Sequence, residues 1–438
     1  MKMKLPLPKI PIKKHKRQIN VKELNQLLRQ FSQKFRISLD KNDFQNAYQY
    51  ILKANQLAPN HPKILMDLAY TELKLAKFAE AYKHYEQAIQ YSSLDIDTNI
   101  YDGLTESCYF LNLSDKLIHY GRLAISSKKE LVKHLKVYTL PDAKPPAFDS
   151  KKASENIISY SLFGNSPRYC EISIMNVDLA KEIYPEWTCR FYIDETVPQE
   201  IQNRLYEKGA QIVKVTREQA KLSGLVWRFF VLDDPQVNCF LIRDADSLLS
   251  YREKSAVDAW LKSGKWFHGM RDFYTHTELI LAGMWGGFNG VFIGVENQIR
   301  NYIESGQYLS DKVLDQHYLR QHIWPTLNQS ALYHDSQGFD ESAESFPDYS
   351  QKKKFENFPN FHVGMNEGSA QISVQIDMLD AKYVDWTLVD LQTKTQICCY
   401  TSLVLDSRKV LLDLPQQYVM HLNSGDWELR IYLAENTD

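Results

Sequence analysis

Two aspartates one residue apart, Asp244 and Asp246, are the residues best suited by type and spacing to do chemistry. They follow a short apolar run, CFLI (239–242), which has the length and composition of a strand buried on both faces of a parallel sheet. Ligands of open α/β sheets bind beyond the carboxyl ends of the strands. Two carboxylates there can share Mg²⁺ or Mn²⁺, whose other ligands come from substrate phosphates and water. The pair predicts a metal and diphosphate site; the plainer alternative is a solvated turn after a strand.

The elements around this pair alternate between strands and helices from residue 156 to about residue 366. Apolar runs predict strands at 157–164, 188–194, 210–215, 266–273 and 286–294, with helical patterns between most of them. Strands separated by helical stretches form βαβ units, so the sequence predicts a sheet of mainly parallel strands. The polar and aromatic stretch 331–361 lacks a clear period, which is typical of a lid or binding loop.

The N-terminal part has a period of 34 residues. The matching residues are Phe44, Ala47, Ile51 and Ala54, followed by Phe78, Ala81, Tyr85 and Ala88. Small residues at helix crossings, with Pro59 after a helix, resemble tetratricopeptide repeats over residues 40–125. A third unit around Gly103 lacks these markers, as expected of a capping repeat. Such repeats imply a concave surface for a protein partner or for self-association; ordinary helical hairpins are the alternative.

Composition divides the chain into a basic disordered tail (1–18), a helical repeat domain (19–137), a linker rich in Pro and Lys (138–155), the α/β domain (156–366) and a C-terminal region (367–438). In the last of these, five short runs of alternating polarity predict a small β-sandwich-like module. The fold class expected is therefore multidomain: all-α repeats, a central α/β domain and a small β-rich domain.

Composition also limits the partners and the compartment. The 438 residues carry a net charge of −2, which gives no reason to expect nucleic acid. The six cysteines form no C-x-x-C pair, which favours a reducing, cytoplasmic setting. No apolar run is long enough for a transmembrane segment. Seven Lys or Arg in the first 17 residues predict a disordered tail or weak contact with an anionic surface at the inner face of the membrane.

Several motifs, in order, make residues 156–365 resemble glycosyltransferases of the Rossmann-like GT-A fold, most closely the family-8-like members. Arg228 precedes the apolar strand and the Asp-x-Asp pair, as the family's helix arginine does. FNGVFIGVENQIR (288–300) resembles the family's Phe-Asn-x-Gly-Val strand, and DQHYL (315–319) resembles its Asp-Gln-Asp-x-Leu motif with His317 in place of the second aspartate. The family's His-x-x-Gly-x-Lys-Pro-Trp tail is absent.

The resemblance implies a role for each of these residues. Asp244 and Asp246 would bind Mn²⁺ or Mg²⁺, with His334 or His362 as a third ligand. Arg228 would bind the donor diphosphate, and Arg243 would touch phosphate or offset the acidic pair. Ser161, Phe163, Gly164 and Asp194, at the ends of two strands, would lie at the nucleoside. Gly286, Gly287 and Asn289 would line the donor-sugar pocket.

The catalytic residues implied are Asp315, as a base or an orienting group for the acceptor, and its neighbour Gln316. Structural alternatives stay open for most positions: a surface ion pair for Arg228, turn residues at 161–164 and 194, a strand bulge at 286–289 and a helix-end carboxylate at 315.

The function implied is metal-dependent transfer of a sugar from a nucleotide diphosphate donor, expected to be UDP-linked, to a glycan, lipid-linked or other hydroxyl acceptor. Bacterial surface-polysaccharide synthesis is the expected setting. Two alternatives remain: an inactive transferase-like scaffold that works through its repeats, and a nucleotidyltransferase that uses the same carboxylates for phosphoryl chemistry. The sequence has no P-loop, G-x-S-x-G or H-E-x-x-H motif to favour other chemistries.

Overall fold

The computed structural model describes residues 21–92, 96–306, 313–367, 370–376 and 382–434, so the predicted tail (1–18) lies outside the described residues. The chain forms two compact units, residues 1–120 and 121–438. It contains an N-terminal helical region, a mixed α/β sheet and a small antiparallel β region. At this level, the predicted fold class is confirmed.

The first unit is built from helical hairpins. The helices are α1 (Val21–Asp40), α2 (Phe44–Leu57), α3 (Pro62–Lys74), α4 (Phe78–Tyr91), α5 (Asn99–Phe110) and α6 (Ser114–Val132). The division between the units falls inside α6. The small residues predicted at the helix crossings, Ala47, Ala54, Ala81 and Ala88, are all buried. A Cβ at Gly103 would overlap the ring of Tyr85, which explains why this crossing takes a glycine.

The second unit contains a seven-stranded sheet. Its strands are β1 (Asn156–Leu162), β2 (Thr188–Ile193), β3 (Gln211–Lys214), β4 (Cys239–Ile242), β5 (Phe267–Arg271), β6 (Trp285–Phe288) and β7 (Ala331–Asp335). Their order is β3-β2-β1-β4-β6-β5-β7. Strands β1 to β4 are parallel, β5 and β7 are parallel to each other, and β6 runs antiparallel to both of its neighbours. All four residues of β4 are buried, as predicted for a strand covered on both faces.

Helices lie between these strands. They are α7 (Pro167–Ile183), α8 (Gln199–Glu207), α9 (Tyr251–Ser263), α10 (Val295–Ser305), α11 (Leu314–Tyr318) and α12 (Trp324–Leu327). Residues Gly224–Asp233, before β4, form a 3₁₀ helix. The strand predicted at 286–294 ends at Phe288, and the following turn contains Gly290 and Gly294 at φ of 92° and 68°, a region open to glycine.

The C-terminal region contains the five predicted strands. They are β8 (Ala370–Gln375), β9 (Tyr383–Asp390), β10 (Gln396–Leu403), β11 (Lys409–Leu414) and β12 (Trp427–Leu433). They form two antiparallel sheets, β10-β9-β12 and β11-β8. A helix that the sequence analysis did not predict, α13 (Gln416–Ser424), starts after Pro415 and ends at Gly425, which has φ of 77°. Both residues are typical of helix ends.

The C-terminal region is tied to the α/β sheet domain by one buried carboxylate. Glu171, on α7, accepts two hydrogen bonds from Arg204 and one each from the hydroxyls of Tyr400 and Tyr418. Its side chain is fully buried, so the four donors replace the water that the charge would otherwise need.

In the described parts of the chain, none of the helices combines the length and the apolarity that a bilayer crossing requires.

Candidate functional site

A cavity of about 220 Å³ lies beyond the carboxyl ends of the parallel strands β1 and β4. Its lining residues are Ser161, Leu162, Phe163, Tyr169, Leu225, Arg228, Asp244, Ala245 and Asp246. Arg243, the residue directly after β4, donates its backbone N–H to the carbonyl of Ser159 on β1. This contact brings the two strand ends together, and both aspartates come to lie in the cavity wall.

Arg228 lies between two carboxylates. Its guanidinium donates a hydrogen bond to Asp244 and another, of 2.8 Å, to Asp315. Its backbone is fixed to β1, since the Ser161 hydroxyl accepts from the Arg228 N–H at 2.9 Å and the Ser159 hydroxyl donates to the Arg228 carbonyl at 2.7 Å. The 3₁₀ helix before β4 therefore holds Arg228 at the floor of the cavity.

Asp315 lies beside this arginine but has both oxygens engaged. Oδ2 accepts from Arg228, and Oδ1 accepts from the backbone N–H of Gln316 at 2.8 Å. Only 8% of the side chain is exposed. Burial, reinforced by the charge of Asp244 and opposed by Arg228, raises the pKa of Asp315. An engaged, buried carboxylate of this kind is arranged to hold Arg228 in place.

Asp246 is held by residues from two other segments. Its Oδ2 accepts hydrogen bonds from Arg168 at 2.9 Å and from the Asn366 amide at 2.8 Å. Its backbone carbonyl accepts from the Glu367 N–H at 2.8 Å. Burial, followed by the like charge of Asp244, raises the pKa of Asp246 to about 6. A cation in the cavity would lower that pKa again by favouring the charged form.

The residues predicted at the nucleoside lie at the ends of β1 and β2. Phe163 is 44% exposed and lines the cavity with Ser161. Gly164, at φ of 76°, donates its N–H to the Thr196 hydroxyl, which itself bonds Asp194. Asp194 is thus part of a turn that supports Gly164, and it lies outside the cavity lining.

Arg243 points away from the cavity. Its guanidinium is buried against Glu253 at 3.1 Å and against the carbonyls of Ile242 and Trp285. Successive side chains of an extended chain point to opposite sides, so the residue before Asp244 faces the interior. Arg243 stabilises the packing of α9 on the sheet, so the expectation that it touches phosphate is wrong.

The three residues predicted at the donor sugar also lie elsewhere. A Cβ at Gly286 would overlap β4, and one at Gly287 would overlap the ring of Phe267, so both glycines permit close packing inside the sheet. Asn289 bonds the backbone of Asp234 and Asn238, at the amino end of β4. Because β6 runs antiparallel to β4, the residues before β6, and not those after it, approach the aspartates.

The two histidines do not complete a metal site. His334 is fully buried on β7, with Nδ1 3.1 Å from Nε2 of His268, and β7 is three strands, roughly 14 Å, away from β4. His362 stacks on Phe273 and places Nδ1 2.9 Å from the Asn360 carbonyl oxygen. Among the described residues, no three His, Cys, Asp or Glu side chains are grouped to hold a metal ion.

Two carboxylates remain as candidate metal ligands. One oxygen of each, Oδ1 of Asp244 and Oδ2 of Asp246, accepts hydrogen bonds from arginine. Such a donor set fits a hard cation like Mg²⁺, which binds through one or two carboxylates and takes its other ligands from phosphate and water. The two carboxylates alone do not form the metal site predicted from the sequence, in which a histidine is the third ligand.

Sequence reasoning missed four residues of the site: Arg168, Tyr169, Gly283 and Asn366. A Cβ at Gly283 would overlap the carboxylate of Asp244, and Tyr169 lines the cavity. Arg168 and Tyr169 follow Pro167 at the start of a helix just after the first strand, a position that could have drawn attention to them. Nothing in the sequence near Gly283 or Asn366 indicates their proximity to the aspartates.

Comparisons with known proteins add little. No protein-family model matches the chain, and no curated protein matches it in sequence. Similar solved structures include the TPR2B domain of yeast Sti1 in a pHsp70 complex, at 16% identity and a TM-score of 0.23 over 24% of this chain and 83% of that one. Another is a mutant of the Thermobaculum terrenum O-GlcNAc transferase, at 11% identity and a TM-score of 0.26. That match covers 50% of this chain and 46% of the transferase, about half its length. Both TM-scores are too low to assign a fold or an activity.

Proposed function

We propose that the protein is a glycosyltransferase that moves a sugar from a nucleoside diphosphate donor to a hydroxyl acceptor with the help of a divalent cation. The observation that carries the proposal is the cavity beyond β1 and β4. A carboxylate pair, a buried arginine and two partly exposed aromatic rings share its wall. This combination suits a ligand with a planar base at one end and a charged diphosphate at the other.

In this proposal, Asp244 and Asp246 hold Mg²⁺ or Mn²⁺ through carboxylate oxygens. A bound cation of this kind stabilises the negative charge that develops on the diphosphate leaving group. Arg228 binds the diphosphate from the floor of the cavity, and Phe163 provides a ring for the base. Asp315 keeps the Arg228 guanidinium in position, a role that its two engaged oxygens support better than that of a general base.

The finer parts of the proposal rest on the sequence resemblance. The donor is a UDP-linked sugar, the acceptor a glycan or lipid-linked hydroxyl, and the setting bacterial surface-polysaccharide synthesis at the inner face of the membrane. The helical repeats dock a protein partner or a second copy of the chain. A groove of about 780 Å³ in the first unit, lined by α1 to α3 and carrying Arg29, Arg36 and Lys63, supports a docking role.

A second candidate is a binding protein that has lost catalysis. Two observations favour it: no third metal ligand is grouped with the aspartates among the described residues, and both Asp315 oxygens already accept a hydrogen bond, one from Arg228 and one from the Gln316 N–H. Such a protein would still bind a nucleotide in the cavity but would not turn it over.

A thermal-shift series tests the proposal, using UDP, GDP, CMP and dTDP donors with and without Mn²⁺ or Mg²⁺. Ligand at about 100 times its dissociation constant stabilises the folded state by ~2.7 kcal/mol. We expect one nucleotide class to stabilise the wild type in the presence of metal, and Asp246→Asn to lose this effect. Absence of any shift would contradict the nucleotide site itself.

Product analysis then separates the candidates. Slow release of nucleoside diphosphate from the stabilising donor indicates a transferase, and release of pyrophosphate from a nucleoside triphosphate indicates a nucleotidyltransferase. Binding without either product indicates the inactive binding protein.

A further inference from the structure

Arg168, in the first turn of α7, is the one arginine besides Arg228 that bonds an aspartate of the candidate site in the described part of the chain. Its Nη2 lies 2.9 Å from Oδ2 of Asp246, and 24% of its side chain is exposed. Its Nε is buried and has no hydrogen-bond partner among the residues that the structure describes. Since buried donors in folded proteins nearly always have an acceptor, this nitrogen points to an acceptor that a ligand or a water supplies.

The two arginines frame the two aspartates. Arg228 pairs with Asp244, and Arg168 pairs with Asp246. Both aspartates line the cavity, and so does Tyr169, whose ring lies 5.2 Å from the Arg168 guanidinium carbon. The guanidinium of Arg168 therefore lies directly beside two residues of the cavity wall, Asp246 and Tyr169.

We propose that Arg168 binds a phosphate oxygen of the donor diphosphate, as a second arginine that acts together with Arg228. This inference rests on the proposed function. The diphosphate of a nucleotide sugar carries one negative charge on each phosphate, and two guanidinium groups match that charge. Arginine presents several N–H donors in one plane, so Arg168 can keep its bond to Asp246 while another N–H meets phosphate.

The C-terminal region fixes the position of Arg168. Glu171 follows Arg168 by three residues, which places it on the same side of the helix. Its four hydrogen bonds, from Arg204, Tyr400 and Tyr418, attach this turn of α7 to α8 and to the C-terminal strands and helix. A guanidinium that is oriented before the ligand arrives loses less entropy on binding.

A purely structural role for Arg168, as a support for Asp246, makes a different prediction. If Arg168 only supports Asp246, its removal weakens diphosphate binding only when the cation is present, because Asp246 contacts the diphosphate only by way of the bound cation. If Arg168 contacts phosphate directly, its removal also weakens diphosphate binding in a chelating buffer.

The test is calorimetric titration of the full chain with UDP and with uridine, each with Mg²⁺ and with excess EDTA. The variants are Arg168→Met, Arg168→Lys and the control Arg300→Met. Arg300 has a similar side-chain exposure of 28% and, within the described residues, forms its ion pair with Glu296; it lies outside the cavity lining. Thermal unfolding of each variant checks that it folds. If Arg168→Met does not fold, the titration is carried out with Arg168→Lys instead.

We expect Arg168→Met to weaken UDP binding about tenfold or more in both buffers, with uridine binding unchanged and Arg168→Lys intermediate. Arg300→Met should match the wild type. Weakening confined to the Mg²⁺ buffer, or equal weakening of uridine, would overturn the inference while the nucleotide site stands. Failure of the wild type to bind either compound would instead contradict the proposed function.

Discussion

The hydroxyl of Tyr400, on β10, donates a 2.6 Å hydrogen bond to the fully buried carboxylate of Glu171, on α7. The two residues are 229 positions apart in sequence. Through this bond and its partners, the C-terminal region is a structural part of the α/β sheet domain.

Glu171→Gln should lower the free energy of unfolding of the second unit by about 3 kcal/mol, since it breaks a buried ion pair with Arg204. Tyr400→Phe removes one bond to the same carboxylate and should cost about 1.5 kcal/mol. Urea unfolding followed by tryptophan fluorescence measures both, because all eight tryptophans lie beyond residue 120. The control is Glu200→Gln. Glu200 is half exposed and forms an ion pair with the same Arg204, and this pair should contribute less than about 1 kcal/mol to the free energy of unfolding. Equal losses in Glu171→Gln and Glu200→Gln would contradict the assignment.

Asp315→Asn should weaken nucleoside diphosphate binding roughly tenfold, because Arg228 loses one of its two anionic partners. The same substitution in an Arg228→Met background should have little further effect, since residues that act through one another are not additive. The control is Asp258→Asn, which changes an aspartate on α9 that pairs with Lys254 outside the cavity and should bind like the wild type. Additive losses in the double variant would show that Asp315 meets the ligand or the acceptor itself.

Gly283→Ala should weaken nucleoside diphosphate binding by roughly tenfold, because the added methyl overlaps the Asp244 carboxylate and must displace it. Gly287→Ala is the matched control, since its methyl would overlap Phe267 inside the sheet. That variant should lose about 1–3 kcal/mol of stability and keep its affinity. Titration calorimetry together with urea unfolding separates the two effects. A loss of affinity that is larger in Gly287→Ala than in Gly283→Ala would show that Gly287 lies in the donor-sugar pocket after all.

The second unit should become less stable as the pH falls below 6.5. Burial, with smaller contributions from His362 and Arg271, lowers the pKa of His276 to about 3, so only the unfolded chain takes up a proton between pH 6.5 and that value. At pH 5 the expected loss is about 2 kcal/mol from this residue. Urea unfolding at pH 8 and pH 5 measures it. His276→Gln should reduce the dependence without abolishing it, because burial also lowers the pKa of His268 and of His334 in the same unit. His61→Gln, at an exposed position of the first unit, should leave the dependence unchanged. An unchanged slope in His276→Gln would refute this explanation.

Local patterns were enough to predict most of the elements. The 34-residue period predicted the helices, and five runs of alternating polarity predicted strands β8 to β12. Both patterns arise because burial of one face of an element imposes a period on its apolar residues. The position of Asp244 and Asp246 after a buried strand followed from the same reasoning. These predictions depend on residues that are neighbours along the chain.

The rest of the site depends on contacts between distant segments. Gly283 approaches Asp244 because β6 is antiparallel to β4. The sequence around Gly283 contains no pattern that predicts the direction of β6. The prediction that Asn289 lines the donor-sugar pocket fails for the same reason, since this residue follows β6 and bonds the backbone at the amino end of β4. Arg243 differs from Asp244 by one position and faces the opposite way, a distinction that spacing alone did not settle.

The segment Asn366–Glu367 joins Asp246 to the C-terminal region. Asn366 bonds the Asp246 side chain, and Glu367 donates to the Asp246 carbonyl while its own carbonyl and carboxylate accept from Gln416 and Gln417 at the start of α13. The boundary predicted at 366 therefore runs through a segment that supports Asp246, a residue of the cavity wall. A chain shortened at that point would lose the Glu367 bond to the Asp246 carbonyl and the contacts with Gln416 and Gln417 that position this segment, so the C-terminal strands and helix belong to any fragment meant to retain ligand binding.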